Sequence, residues 1–277
     1  MTRSFSQRDP DNTCVIDAES GAEMARLIDQ DRLLTQAMGG LFCERDDLST
    51  LFDVLDIGCG PGAWVLNVAH TYEEIEVIGI DISKSMIQYA QAYAQVRELP
   101  NAHFQVMNVR EPLDFPDASF DLINARTIAA FLYPDDWAGL LAQCQRVLRP
   151  GGVLRLTEPE WGFSNKAAVE TYCALFNQTC MLAGRSFSPT GRHFGITPVL
   201  ERFLRDASFH AIQRKAHVLN YSAGTLAHLP TYENFKLRFR LLQPFLVSTE
   251  VAPQEVIEQL YEQAMLEMLA EDFCAIS

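Results

Sequence analysis

Short apolar runs alternate with amphipathic stretches through the middle of this chain. Val54, Leu55 and Ile57 form the first run, Ile75, Val77, Ile78 and Ile80 the second, and residues 103–107, 120–125 and 153–157 the next three. Each has the length and β-branched content of a buried strand. Between them, residues 61–71, 84–96 and 135–148 repeat apolar positions at helical spacing. Buried strands alternating with helices predict an α/β fold: a Rossmann-like, doubly wound, mostly parallel sheet.

The first run ends in Gly58, Cys59, Gly60, Pro61 and Gly62. Removing alternate Cβ atoms lets a ligand approach the backbone at the amide-rich start of a helix, with Pro61 suited to its first turn. Such a turn holds a nucleotide-like molecule. Asp56 lies inside the strand, where its carboxylate can receive an ammonium group, and Asp81 ends the second strand. An acid about 20 residues beyond the glycines reaches ribose hydroxyls, both of which it can accept. The competing role for Asp81 is a helix cap, for which Ser83 is also available.

Gly58, Gly60 and Ala63 also satisfy the relaxed dinucleotide pattern G-x-G-x-x-G/A, which keeps a nicotinamide-dependent oxidoreductase as the alternative. The tighter G-x-G-x-G spacing, with Asp56 inside the strand, resembles the class I S-adenosylmethionine-dependent methyltransferases. Two further segments strengthen that resemblance: residues 112–121, similar to the family's L-x-F-P-D-x-S-F-D approach to its fourth strand, and R-V-L-R-P-G-G at residues 146–152. It covers roughly residues 50–160 and is similar to the ubiquinone and menaquinone biosynthesis branch. It implies S-adenosyl-L-methionine as cofactor, held by Asp56, Gly58, Cys59, Gly60, Gly62 and Asp81. Ile82 and Met86 would flank the adenine, and Asn108, Val109 and Arg110 would form its polar corner, with Asn108 replacing the family's usual acid. Asn124, Ala125 and Arg126 would lie beside the sulfonium; Arg126 either faces the ligand or pairs with a surface acid.

Outside this core, residues 1–19 lack any period and read as a mobile arm, and residues 20–45 as a lid helix with the capping box Ser20 and Glu23. Packed on the domain edge or laid over the cofactor, that helix offers Gln30, Arg32, Thr35 and Gln36 to the methionyl end. The methyltransferase domain is expected at 46–223, with an insert at 161–197. Residues 197–207 predict a helix and 209–219 a sixth strand. Residues 224–277 predict two helices and a short final strand, completing the lid or making a homodimer contact. Trp161, Phe163, Tyr172 and Phe176 are either core or the walls of an apolar acceptor pocket above the reactive end.

With 277 residues and 48% hydrophobic side chains, the chain can bury a large core. A formal charge of −14 disfavours nucleic acid as a partner, because phosphate contacts need a basic surface. Seven scattered cysteines, the polar start and the lack of any run long enough to span a membrane suggest a cytoplasmic protein. No metal-ligand pattern is present.

Methyl transfer needs mainly alignment and exclusion of water, with a base only where the acceptor must lose a proton. His193, in the loop after the aromatic insert, and Glu158, at the end of the fifth strand beside Trp161, are the catalytic candidates, with Glu160 next to the latter. The sequence therefore implies methyl transfer to a small, partly apolar or aromatic molecule. A non-catalytic S-adenosylmethionine-binding protein is the second alternative.

Overall fold

The structure, a computed structural model, describes residues 13–45 and 47–277. Helix α1 (Gly21–Met38) precedes a strand and helix alternation: β1 (Asp53–Ile57), α2 (Ala63–Thr71), β2 (Glu76–Asp81), α3 (Lys84–Val96), β3 (Ala102–Val106), β4 (Phe120–Arg126), α4 (Asp136–Val147) and β5 (Leu148–Thr157). Five parallel strands pair in the order β3-β2-β1-β4-β5. The order reverses between β1 and β4, and an open α/β sheet opens its ligand crevice at such a point. Because strand side chains alternate, Val54, Val77 and Leu122 join one buried cluster with α2 and α3. Leu55, Ile57 and Ile123 face a larger cluster on the opposite side.

That larger cluster takes in the second half of the chain: β6 (Phe163–Ser164), α5 (Ala167–Leu182), α6 (Ile196–Asp206), α7 (His228–Ser248), α8 (Gln254–Met268) and β7 (Ala275–Ile276). Helix α1 packs on α7, α7 on α8, and α8 on α5. Asn234 of α7 fastens the first contact by donating to the Arg26 carbonyl of α1 at 3.3 Å.

Local differences from the sequence expectation have physical causes. Helix α2 starts at Ala63, with Gly62 as its N-cap at φ 78°, so Pro61 belongs to the turn. Ser20 makes no side-chain cap, and the reciprocal half of the capping box is lost because both Glu23 oxygens are taken by Arg26, each at 2.6 Å. No sixth strand forms over residues 209–219. Residues 213–218 lie in solvent, with Val218 65% exposed, and among the described residues none offers them a strand partner. Residues 219–223 instead bond the chain's last residues, and β7 pairs antiparallel with β6. Within β5, Gly151 and Gly152 fall in a bulge, marked by the register shift opposite Phe120 and Leu122. The mobile arm was expected over residues 1–19, of which 1–12 lie outside the described residues. Residues 13–19 are packed: Val15 and Ile16 join the larger core, and Ser83 Oγ donates to Glu19 at 2.7 Å.

Candidate active site

The strand ends, residues 14–18, α1 and α7 enclose one cavity of about 270 Å³. Its floor is Asp56, Gly58, Cys59, Gly60 and Asp81, with Met86 of α3 and Arg126 of β4. Its far end is Glu158, Trp161, Phe176, Phe194 and a stripe of α7.

The glycine turn serves two purposes. A Cβ on Gly60 would meet the Leu27 side chain of α1 at an ordinary 3.5 Å, so this position lies open beneath α1. A Cβ on Gly62 would strike the Phe104 ring at 2.6 Å and Ala90 at 2.9 Å. Gly62 therefore permits close packing of the turn onto α3 and β3 rather than ligand approach, and it does not line the cavity.

Asp56 is buried, and among the described residues its one hydrogen-bond donor is Asn124 Nδ2, at 2.7 Å. Burial drives its carboxyl up to about 7, against the downward pull of Arg126 and the Asn124 bond. Asn124 and Ala125 stand behind the cavity wall, and Asn124 Oδ1 is itself buried without a partner. A cavity-facing carboxylate so incompletely compensated fits a ligand ammonium group. Asp81 accepts from the Gly60 and Ser83 amides at 2.9 and 2.8 Å and keeps lone pairs for ligand hydroxyls. Ser83 takes the helix cap, accepting from Met86 N. The residues present thus suit the amino-acid and sugar parts of S-adenosylmethionine.

Arg126 both lines the cavity and pairs: its guanidinium bonds Asp31 of α1, donates to Thr35 Oγ1 at 3.2 Å, and lies 5.8 Å over the Trp64 ring. Its partner is thus a buried acid of α1 rather than a surface one. On α1 the cavity face carries Glu23, Arg26, Leu27, Gln30, Asp31 and Leu34; Arg32 and Gln36 point to solvent. The signal lay in the helical period: charged residues 23, 26 and 31 fall on the same face as Leu27 and Leu34.

Four residues expected at the adenine corner do not line this cavity. Ile82 does not line the cavity, Val109 is core, and Asn108 Oδ1 accepts from the Arg110 amide at 3.1 Å. The Arg110 guanidinium turns outward to Asp136 at 3.1 Å.

At the far end, Trp161 and Phe176 line the cavity, edge to face at 5.1 Å. Tyr172 does not; it is fully buried behind them, stacked 4.0 Å from Phe239, and its hydroxyl donates to the Phe239 carbonyl. Phe163 is 72% exposed on the β6 ribbon, where its side chain points away from the core. The His193 ring is also exposed, because the loop turns Phe194 inward instead, its carbonyl accepting from Phe187 N at 2.9 Å. Glu158 remains at the cavity, accepting from the Ala129 amide at 3.1 Å. Burial pushes its carboxyl up to about 8, helped by neighbouring Glu160. Glu160 is engaged at the start of α6 by Gly195 N and Thr197 N at 3.1 and 3.2 Å. Among the described residues no group of three or more His, Cys, Asp or Glu side chains gathers to hold a metal ion, and no helix is long and apolar enough to cross a membrane.

A family model described as a methyltransferase domain matches residues 54–152. Over 156 residues, 55% of this chain and 58% of the relative, the sequence is 31% identical to the O-methyltransferase resE of Aspergillus sclerotiorum. Over 107 residues, 36% of this chain and 38% of the relative, it is 36% identical to the probable methyltransferase ltbC of Aspergillus luteorubrus. The match thus spans less than two thirds of each relative's length. A solved structure of phosphoethanolamine N-methyltransferase 2 from Haemonchus contortus, in complex with phosphomonomethylethanolamine and S-adenosylhomocysteine, shares this fold. The superposition covers 93% of this chain and 56% of that one, with a TM-score of 0.54 at 17% identity. Residues 54–152 thus match a methyltransferase domain, and the Rossmann-like fold is one that a solved methyltransferase structure shares.

Proposed function

We propose that the chain transfers a methyl group from S-adenosylmethionine to a hydroxyl of a small aromatic molecule. The observation that supports this reading is the single cavity joining Asp56 and Asp81 to Glu158, Trp161 and Phe176. Asp56 receives the cofactor's ammonium, Asp81 its sugar hydroxyls, and Gly58, Cys59, Gly60, Met86 and Arg126 line its bed. When bound, the cofactor supplies an electrophilic methyl on a sulfonium whose sulfur leaves as a neutral thioether.

The chain's own residues do the rest. Trp161 and Phe176 hold an aromatic acceptor flat and keep water out, and α1 with α7 closes over the reacting atoms. Alignment of this kind is worth up to about 7–11 kcal/mol. Glu158 takes the hydroxyl proton as the new carbon–oxygen bond forms, a contribution of about 10²- to 10⁴-fold. The resE relative, named an O-methyltransferase, supports an oxygen nucleophile. An aromatic acceptor of the quinone-precursor type would meet the same walls, and the −14 charge favours a small acceptor over nucleic acid.

Calorimetric titration tests the cofactor reading: S-adenosylhomocysteine binds wild type, and Asp81→Ala weakens it at least about tenfold. Binding of a nicotinamide dinucleotide instead would overturn the reading. Transfer of labelled methyl to a phenol panel tests the reaction.

A further inference from the structure

We infer that the acceptor is an aromatic carboxylic acid and that Arg238 of α7 binds its carboxylate; this rests on the methyltransferase reading of the same cavity. Arg238 lines the acceptor end, with its guanidinium 4.4 Å over the Trp161 ring and 5.9 Å from the Phe176 ring. Stacking uses the flat face of the group and leaves its rim of N–H donors for a planar anion.

The neighbouring arginines are already occupied. Arg26 is held by both Glu23 oxygens and donates to Gln30 and Asn234 at 2.5 and 3.4 Å. Arg126 pairs with Asp31. Arg155 reaches Glu44 at 3.3 Å, and Arg185 donates to the Thr13 carbonyl at 2.6 Å. Among the described residues, no carboxylate lies within ion-pair distance of Arg238 and no hydrogen-bond acceptor meets it.

The surrounding charges do not neutralise it. Glu23 is taken by Arg26, Glu160 caps α6, and Glu158 holds its proton up to about 8. Desolvation, with Arg26 nearby, lowers Arg238 to about 10, which leaves it charged at neutral pH. An enclosed cation without a counter-ion is costly unless a ligand supplies the anion.

A second observation lies on the same helix face. Thr231 lines the cavity, is 2% exposed, and its hydroxyl has no hydrogen-bond partner. Seven residues separate it from Arg238, about 10 Å along the axis, so the two address different points of one acceptor. Between them Phe235 contributes an apolar wall. One uncompensated cation among aromatic rings matches a monoanionic carboxylate on a ring better than a phosphate dianion, which calls for more charge and more donors.

The test pairs benzoate, 4-hydroxybenzoate, 4-hydroxyphenylacetate and 4-hydroxycinnamate each with its primary amide, titrated into the protein saturated with S-adenosylhomocysteine. At least one acid binds about 10- to 100-fold tighter than its amide, the span of a charge-assisted hydrogen-bonded pair. Arg238→Met removes that preference, Arg238→Lys restores part of it, and both variants keep wild-type affinity for S-adenosylhomocysteine and an unchanged unfolding midpoint. If no acid outbinds its amide, if Arg238→Met with intact cofactor binding keeps the preference, or if 4-hydroxyphenyl phosphate binds better than every acid, the inference is overturned. Failure of wild type to bind S-adenosylhomocysteine overturns the underlying methyltransferase reading instead.

Discussion

Asp31 of α1 and Arg126 at the end of β4 form an ion pair that ties the N-terminal helix to the sheet, with only 8% and 12% of their side chains exposed. A buried pair is costly to break from one side, because the surviving charge stays enclosed. Asp31→Asn should therefore lower stability by about 3 kcal/mol and weaken S-adenosylhomocysteine binding. Asp31→Leu combined with Arg126→Met should recover much of the stability but not the binding. Urea unfolding of the double-mutant cycle, alongside calorimetry, checks both outcomes.

Gly62 and Gly184 share a left-handed backbone, at φ +78° and +69°, but differ in surroundings. Gly184→Ala meets nothing within 4 Å, so it should cost only the backbone strain, about 1–2 kcal/mol. Gly62→Ala adds the collision with Phe104 and should cost a further 1–3 kcal/mol or so. Denaturation midpoints of the two variants decide the order.

Glu158 gives a signed pH dependence. A free carboxyl titrates near 4.5, whereas in the fold burial moves it up to about 8. Between those values the folded state holds more protons, so stability falls as pH rises. Glu158→Gln should thus gain at least about 1 kcal/mol over wild type at pH 9, relative to the difference at pH 4. Methyl transfer to a phenol should run the opposite way, rising through about pH 8 as the base is freed, and the variant should lose that rise. Thermal melts and kcat/KM profiles against pH read the two effects separately.

Asp56 makes cofactor binding release protons. Its carboxyl lies at about 7 in the empty fold, and an ammonium beside it favours the charged form. Binding of S-adenosylhomocysteine near pH 7 should expel a fraction of a proton, and at pH 9 none from this group. Calorimetry in buffers of different ionisation enthalpy measures it, and Asp56→Asn should abolish the difference.

The strand order and the cavity floor were legible because each carries a local mark: an apolar run ending in glycines, and carboxylates at strand ends. Asp56, Asp81 and Glu158 needed no knowledge of the tertiary arrangement. The roof was not legible in the same way. Arg26, Asp31 and Arg238 face the cavity only because α1 and α7 lie against each other, a pairing of residues far apart in the chain. Residues 209–219 alternate like a strand, but alternation forms a strand only where a neighbour accepts it. His193 and Phe163 were placed by proximity in sequence; in both loops the adjoining residue, Phe194 or Gly162, takes the inward position.

The clasp between Asn234 and Arg26 joins α1, beside the proposed cofactor bed, to α7, which carries the proposed anion site. Whichever molecule settles first stiffens the seat of the other. Affinity should therefore be reciprocal, with each partner tightening the grip on its companion by an equal factor. Loosening the clasp, as in Asn234→Ala, should uncouple two ligands that it never touches directly.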